Sequence, residues 1–322
     1  MATYKGIQGY AVQTLSSDPT ADTDTVGQLW YNSTGSPTSD GAFKLIQSGA
    51  GAWSAGGTMN TATRGAVSAG SQTASLVAGG DSTASEEYDG TSWTAGNAMN
   101  NPHPQTSGGG TQTAAWCQSG PSVTELYNGT TWSNQPSSSI TQKPQRGGCG
   151  TQTSALLAGG EPRTSNAEIY DGSTWTAITA YPLTLRYPEA VGATNTAVIT
   201  FGGDSPGGMQ TAANSWNGSS WTGSPAMNTS RFEFASLGAS STSAMAMGGD
   251  TPGRTLNVED YDGSSWTEIA NVSAINAQAT GAGTTTAGLF VFGMSGPPPG
   301  TTPGASEEYN DPNYQTKILT ES

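Results

Sequence analysis

The chain has 322 residues, of which 24 are acidic and 10 are basic, so it carries a formal net charge of −14. Nucleic acids and anionic membrane surfaces bind proteins through clustered cations, so this composition argues against both as partners. No segment approaches the roughly 18 consecutive apolar residues that a membrane span requires.

The amino-terminal region is polar, and its residues 1–26 have no counterpart elsewhere in the chain. It lacks a basic segment followed by a continuous apolar core, so we expect no signal peptide, and we expect folding in a cytoplasm. We assign residues 1–42 to an attachment arm and residues 43–322 to a second domain.

The stretch EEYDGTSWTAGNAMN has the composition of a β-hairpin and recurs in edited form as ELYNGTTWS, EIYDGSTWT, NSWNGSSWT and EDYDGSSWT. Asp-Gly or Asn-Gly between strand-forming residues favours a two-residue turn. Asp89 and Gly90 are therefore predicted to form the loop. Tyr88 then lies opposite Thr91. Because strand side chains alternate between faces, Tyr88 and Trp93 are expected on one aromatic face.

The hairpins repeat at a regular interval. The outer-strand tryptophans are Trp53, Trp93, Trp132, Trp175, Trp221 and Trp266, at intervals of 39 to 46 residues. Each unit also contains a short apolar run that ends in a Gly doublet or its remnant, and an earlier segment that ends in a small polar turn such as SQT or TQT. A period of this length indicates a solenoid or a propeller, and each unit is predicted to contain four short strands.

An Arg, an apolar strand ending in Gly-Gly, Glu-x-Tyr-Asp and a Trp five residues after the Tyr together resemble the kelch repeat, over roughly residues 43–320. The resemblance implies four-stranded antiparallel blades in a kelch-like β-propeller. The Arg position is occupied in chain order by Arg64, His103, Arg146, Arg186, Arg231 and Asn276. The Glu position is occupied by Glu86, Glu125, Glu168, Asn214, Glu259 and Glu307. The Tyr position is occupied by Tyr88, Tyr127, Tyr170, Trp216, Tyr261 and Tyr309.

The sixth unit has Tyr309 but no tryptophan after it, whereas Trp53 precedes the first complete unit. The simplest explanation is that a strand around Trp53 completes the last blade and closes the ring, so we predict six blades. Seven blades remain the alternative, if GQLWYN and YQTKILT form a further partial blade. A hydrophobic share of 33% fits a core divided into thin seams between blades.

The sequence offers little for catalysis. Copper-dependent propeller oxidases need several imidazole and tyrosinate ligands. The single histidine, His103, stands at an Arg position, where a structural hydrogen bond is expected. In YDGTSW the Asp and Gly are adjacent, unlike in the Asp-box of sialidase-like propellers. Paired carboxylates suit a glycosidase, but pairs such as Glu86 and Glu87 belong to the repeat. We expect no enzyme activity and no cofactor, and we keep a glycan-active enzyme as a further alternative.

An acidic residue follows the Gly doublet in four units: Asp81, Glu161, Asp204 and Asp250. Oxygen-rich loops can hold calcium, but no compact Asp-x-Asp spacing is present, so solvated loop ends are favoured and no metal site is predicted. Cys117 and Cys149 stand at different phases of the repeat and are expected to be buried free thiols.

The loops point to a binding face. Strands alternate in direction, so the connections between second and third strands share one face of the ring with those between blades. These connections lengthen from DSTAS in the first unit to SGPPPGTTPGAS in the sixth. Variable loops on a rigid scaffold are where recognition usually resides, and drift on an unconstrained surface is the alternative. The candidate binding residues are Asp81, Asp204, Met209, Asp250, Arg254 and Pro298.

The segment DTVGQLWYNSTGSPTSDGAFKLIQSGAGAW is similar to a short module of bacteriophage tail fibres and other virion appendages, in which Gly-x-Leu-Trp-Tyr-Asn precedes a loop and a second strand. The resemblance implies a phage virion structural protein, in a tail fibre, tail or capsid decoration. The amino-terminal arm would bind other virion proteins, and the propeller would bind a host-surface glycan or protein. The protein would be a homo-oligomer or present in many copies on the particle. A cellular kelch-type interaction module or surface adhesin is the alternative.

Overall fold

The computed structural model describes residues 13–16, 28–32, 42–48, 51–119, 123–138, 147–297, 299–311 and 314–318. The described residues form strands, turns and bends without any helix, so none of them belongs to a helix that could cross a membrane. Two compact units are present: Met1–Ala52 together with Asp311–Ser322, and Trp53–Asn310.

The first unit contains one four-stranded sheet that joins the two ends of the chain. Its strands, in spatial order, are β1 (Gln13–Leu15), β2 (Leu29–Asn32), β3 (Ala42–Ser48) and β32 (Tyr314–Ile318). The first two strands are parallel, and the other pairs are antiparallel. GQLWYN and YQTKILT therefore contribute to a sheet of their own, so the alternative of a seventh blade is wrong.

The second unit is an all-β propeller of six four-stranded blades, as predicted. The first blade contains β5 (Val67–Ser71), β6 (Ala74–Ala78), β7 (Ser85–Tyr88) and β8 (Trp93–Ala95). The second contains β9 (Ser107–Thr111), β10 (Ala114–Ser119), β11 (Val123–Tyr127) and β12 (Trp132–Gln135). The third contains β13 (Gly147–Thr151), β14 (Ser154–Ala158), β15 (Ala167–Tyr170) and β16 (Trp175–Ala177). Neighbouring strands within each of these blades are antiparallel.

The fourth blade contains β17 (Glu189–Val191), β18 (Val198–Phe201), β21 (Ala213–Trp216) and β22 (Trp221–Ser224). The fifth contains β23 (Ala235–Ser240), β24 (Ser243–Met247), β25 (Val258–Tyr261) and β26 (Trp266–Ile269). The sixth contains β28 (Thr280–Thr284), β29 (Ala287–Val291), β31 (Ala305–Asn310) and β4 (Ala52–Thr58). Two small sheets lie in the connections, β19 (Asp204–Ser205) with β20 (Gly208–Met209), and β27 (Asn276–Ala277) with β30 (Met294–Ser295).

The ring closes as the tryptophan pattern predicts. Strand β4 is the outermost strand of the sixth blade, beside β31. The ring centroids of Trp53 and Tyr309 are 5.1 Å apart, and the Trp53 indole donates a hydrogen bond of 2.8 Å to the Ala270 carbonyl. Since the last blade takes a strand from the start of the propeller, the ring cannot open without breaking a sheet.

The predicted two-residue hairpin loop is wrong. Tyr88 pairs directly with Trp93, so the loop comprises residues 89–92. The Asp89 carboxylate accepts hydrogen bonds from the backbone N–H groups of Thr91 and Ser92, at 2.9 and 2.8 Å. This side-chain acceptor stabilises a longer turn than the Asp-Gly pair alone predicts. The same contacts recur at Asn128, Asp171, Asn217 and Asp262.

The aromatic face of the hairpins is nevertheless confirmed, because Tyr88 and Trp93 still share one side, with ring centroids 4.8 Å apart. These rings pack into seams between neighbouring blades. In the seam between the sixth and first blades, they contact Leu289 and Val291. The described buried residues form six such clusters, each joining two adjacent blades. Apolar burial is therefore divided among thin seams, as the composition predicts.

Candidate functional site

The first strands of the six blades surround a central channel of about 450 Å³. This volume lies within the range of small-molecule sites, about 300–1,000 Å³. Gly, Ala and Ser dominate these strands, and their small side chains leave the axis open. At Gly70, whose φ is +112°, a Cβ atom would lie 2.1 Å from the Ala74 carbonyl oxygen, so a larger residue cannot replace it without displacing the backbone.

Two carboxyl groups line one end of the channel. Glu189 begins the first strand of the fourth blade, and its carboxyl accepts a hydrogen bond of 2.8 Å from the Ser236 hydroxyl of the fifth blade. The side chain is only partly accessible, and this burial raises the pKa of Glu189 to about 8, although the bond from Ser236 acts to lower it. Glu233 lies just before the first strand of the fifth blade.

A strained backbone surrounds this end of the channel. Gln105, Tyr187, Glu233 and Gln278 precede the first strands of four blades, and their φ angles of 53–56° lie in the left-handed region. Residues other than glycine adopt this region rarely, and such strain persists where the surrounding structure enforces it, often at ligand sites.

Hydrogen bonds connect these strained residues around the channel. The Gln105 side chain donates to the Tyr187 hydroxyl at 3.2 Å, and the Gln278 side chain donates to the Glu233 carboxylate at 3.2 Å. The Tyr187 hydroxyl is also bonded to Glu233; burial, together with this negative partner, raises the pKa of Tyr187. We call Gln105, Tyr187, Glu233 and Gln278 the mouth ring.

The repeat Arg positions have two different environments. Arg231 is buried and donates to Glu259 at 2.6 Å and to two backbone carbonyls. His103 takes the same position in the second blade, with Nε2 2.8 Å from Glu125. Arg64 and Arg186 instead reach loop carboxylates, Asp81 and Asp204 among them, as described below. Arg146 lies outside the described residues, and Asn276 accepts a hydrogen bond from the Gly293 backbone.

The repeat glutamates bind the segment that enters their own blade. Glu125 accepts hydrogen bonds from the backbone of Asn100 and Asn101, both at 2.9 Å, and from His103. Burial acts to raise the pKa of Glu125, but these hydrogen bonds outweigh it and lower the pKa to about 2. Comparable bonds are made by Glu86, Glu168, Glu259 and Glu307. Asn214 takes this position in the fourth blade and donates to the Tyr181 hydroxyl.

The acidic residues after the Gly doublets are paired with arginines. Asp81 pairs with Arg64 at 2.9 Å, and Asp250 lies 3.8 Å from Arg254. Asp204 contacts both Arg163, at 2.5 Å, and Arg186, at 2.8 Å, and Glu161 contacts Arg186 at 3.2 Å. Asp204 is therefore held inside the loops, whereas Asp81 remains an exposed loop end. Within the described ranges, no group of three or more acidic, His or Cys side chains is placed to hold a metal ion.

The candidate binding loops contain both exposed and buried side chains. Asp81 is 56% exposed and Met209 is partly accessible. Arg254 is only 3% exposed and donates to the Gly296 carbonyl, and Asp204 is 7% exposed as a residue, so both are held within the loops. Pro298 lies outside the described residues.

Two groups of residues were missed by sequence reasoning. Gln72, Gln112 and Gln152, in the SQT and TQT turns, donate to backbone carbonyls of the preceding blade. The repetition of those turns was the signal that could have identified them. Glu189 and the mouth ring have no such signal, because their residue types differ from blade to blade. Cys117 and Cys149 are buried free thiols, as predicted.

No protein-family model matches the chain, and no curated protein sequence matches it. The assignment to a six-bladed propeller therefore rests on strand order and pairing. Function has to be argued from the channel, the loops and the distribution of charge.

Proposed function

We propose that the chain is a structural protein of a bacteriophage virion, in a tail fibre, tail or capsid decoration, that displays its propeller for assembly and host-surface recognition. The observation that carries the proposal is the difference between the connections on the two faces of the ring. In five blades the third and fourth strands are joined by four-residue turns that their own Asp or Asn side chain stabilises.

The connections between second and third strands are longer in the later blades. They comprise residues 202–212 in the fourth blade, 248–257 in the fifth and 292–304 in the sixth. The first of these contains β19 and β20, and the third contains β30, which pairs with β27 from the connection between the fifth and sixth blades. Ordered, variable loops on a closed scaffold are suited to recognition.

The kelch resemblance supports a non-enzymatic scaffold. The buried pair of Arg231 and Glu259, the Gly doublets at positive φ and the packing of Tyr against Trp in four hairpins are consistent with a kelch-like repeat. In this proposal the repeat Arg and Glu side chains hold blades together, and the loops bind the partner. The partner is a host-surface glycan or protein, and neither nucleic acid nor membrane is involved.

The amino-terminal module supports the assignment to a virion. Its similarity to phage appendage modules covers the segment that includes β2 and β3, which form an antiparallel pair. In the proposal this region binds other virion proteins, the chain forms homo-oligomers or is present in many copies, and it is made in the host cytoplasm before assembly.

Mass spectrometry of virions purified from a lysate tests the proposal. We expect peptides of this chain in stoichiometric amount with known structural proteins, and cryo-electron microscopy of the same particles should show a six-bladed disc. Absence from the particles, together with retention in a host cell fraction, would favour the cellular interaction module. Turnover on a glycan array would favour the glycan-active enzyme.

A further inference from the structure

The central channel has an unusual charge balance. Among the described residues that line it, Glu189 and Glu233 carry carboxyl groups, and there is no Lys, Arg or His. Several carboxylates elsewhere in the propeller are paired with arginine: Asp204 contacts two arginines, and Glu259 contacts Arg231. Glu189 and Glu233 are therefore the acidic groups that the described lining offers to a cation, and no basic side chain in that lining is paired with them.

The two carboxyl groups lie at the same end of the channel. The first strands of all six blades run in the same direction along it, because each begins a blade with the same strand order. Glu189 is the first residue of β17, and Glu233 lies two residues before the first residue of β23. The hydrogen bond between Glu189 and Ser236 joins these two neighbouring strands.

The donors that bind these two carboxyl groups are neutral. Glu189 accepts a hydrogen bond from the Ser236 hydroxyl, and Glu233 accepts from Gln278 and Tyr187. By contrast, the buried Glu125 accepts bonds from two backbone N–H groups, two Asn side chains and a histidine. A carboxylate that is desolvated and has a single hydroxyl donor gains most from a nearby cation. The pKa of Glu189, raised to about 8 mainly by burial, reflects this environment.

The shape of the channel restricts the cation. The volume of about 450 Å³ is walled by backbone and by small side chains of Gly, Ala, Ser and Thr. Such walls accept a slender aliphatic stem. Hydrogen bonds from Gln105 to Tyr187 and from Gln278 to Glu233 already order the polar groups of the mouth ring, so little further ordering is required on binding.

We propose that this end of the channel binds a primary alkylammonium ion, with the Glu189 carboxylate as its counter-charge and the Glu233 carboxylate adding negative potential at the mouth. An ammonium group offers three N–H donors, which suit the carboxylate oxygens and the Ser236 hydroxyl oxygen. The aliphatic stem lies along the Gly- and Ala-rich walls. The ammonium comes either from a free amine or from a lysine side chain, and the inference does not depend on the assignment to a virion.

Isothermal titration calorimetry of the full chain tests the proposal with a series of matched probes. 1,4-Diaminobutane represents free amines, and Nα-acetyl-lysine methylamide represents a lysine side chain. Three comparison compounds each lack one feature of the amines. 1-Butanol has no charge, butyrate has a negative charge, and tetramethylammonium is a cation without N–H donors. We expect saturable binding of one or both primary amines at one site per chain, and at least tenfold weaker binding of the three comparison compounds.

The substitution Glu189→Gln keeps the shape of the side chain and removes the charge. We expect it to weaken amine binding at least tenfold, whereas Glu268→Gln, at an exposed carboxylate on the outer strand of the fifth blade, leaves binding unchanged. Circular dichroism spectra of both variants establish that they are folded. The comparison of probes on the unmodified chain tests the proposal independently of any variant.

The pH dependence supplies a further readout. The amine binds the ionised carboxylate, so we expect its affinity to rise between pH 6 and pH 9 and binding at pH 7 to release a proton to the buffer. Equal binding of 1-butanol, preference for butyrate, or undiminished binding by Glu189→Gln would overturn the proposal. A failure to find the chain in virions would leave it standing, since the binding measurement uses the isolated protein.

Discussion

Arg231 and Glu259 form an ion pair of 2.6 Å in the fifth blade, with side chains that are 0% and 1% exposed. The other terminal guanidinium nitrogen, Nη1, donates hydrogen bonds to the carbonyl oxygens of Gly248 and Asn257. Arg64, at the same repeat position of the first blade, pairs with Asp81 at the surface, where the side chains are 41% and 56% exposed. The same repeat position therefore serves a buried and an exposed ion pair.

We predict that Arg231→Met destabilises the propeller much more than Arg64→Met does. The first change leaves the Glu259 charge buried without its partner, at a cost of about 3–5 kcal/mol. The second removes an exposed pair that contributes less than about 1 kcal/mol. Urea denaturation followed by tryptophan fluorescence measures both. Equal losses of stability would contradict the structural difference between the two positions.

The hydrogen bonds to Glu125 predict a pH dependence of stability. Because the folded state lowers its pKa from 4.5 to about 2, the carboxylate stabilises the fold above about pH 4.5, and this contribution is lost as the pH falls towards 2. Glu125→Gln is expected to cost about 2 kcal/mol at pH 7. Its difference from the unmodified chain should shrink between pH 4.5 and pH 2. Thermal unfolding at several pH values tests this, with Glu268→Gln as the exposed control.

Glu189 is expected to change stability with pH in the opposite direction to Glu125. Its folded pKa is raised from 4.5 to about 8, so the folded state binds its proton more tightly than the unfolded state does. The contribution of Glu189 to stability is therefore fully present below about pH 4.5 and is lost as the pH rises towards 8. Without any amine present, Glu189→Gln should therefore raise the melting temperature at pH 9, by about 3 °C, and have no effect at pH 4. A lower melting temperature at pH 9 would contradict the burial of this carboxyl.

The closing strand predicts a local effect of Trp53→Ala. The indole contacts Tyr309 and Phe290, at centroid distances of 5.1 and 6.0 Å, so its removal is expected to cost about 3 kcal/mol. Hydrogen–deuterium exchange should accelerate in β31 and β29. Trp221→Ala is the matched control, because this indole donates to the Thr179 carbonyl of another blade. Equal acceleration of exchange in the sixth blade by both variants would show that the Trp53 contacts of β4 do not stabilise that blade.

The glutamines of the SQT and TQT turns are predicted to stabilise the seams between neighbouring blades. Gln112 donates to the carbonyls of Ser75 and Tyr88 in the preceding blade, at 3.1 and 2.9 Å. Gln112→Ala is expected to lose about 1–2 kcal/mol, whereas Thr113→Ala, at the exposed neighbouring residue of the same turn, should be neutral. Chemical denaturation of the two variants distinguishes these outcomes. A neutral Gln112→Ala would mean that water replaces both bonds without loss.

Most of the architecture could be predicted because repetition amplifies weak local signals. A single Asp-Gly hairpin is ambiguous, but tryptophans in phase over six units indicate blades, and Trp53 without a unit of its own indicates ring closure. The hairpin register could not be predicted in the same way. The Asp89 side chain competes for the turn N–H groups, and this local choice is not visible in the Asp-Gly pair.

The candidate site was less predictable. The positions of Glu189 and Tyr187 hold different residue types in the other blades, and in the sequence the two residues resemble ordinary strand and loop residues. Their importance comes from the channel, which exists only when six first strands meet around one axis. Likewise, the loop acids looked solvated until the fold placed Arg163 and Arg186 beside Asp204.

The sequence by itself predicted six blades, with seven as the alternative, the shared face of Tyr and Trp and the sharing of one blade by distant segments, because these depend on periodic side chains that each repeat supplies locally. Only the tertiary structure decided which carboxylates are neutralised by arginine and which two remain in the channel. Charge pairing depends on distances between blades, and those distances are set by how the sheets pack around the axis.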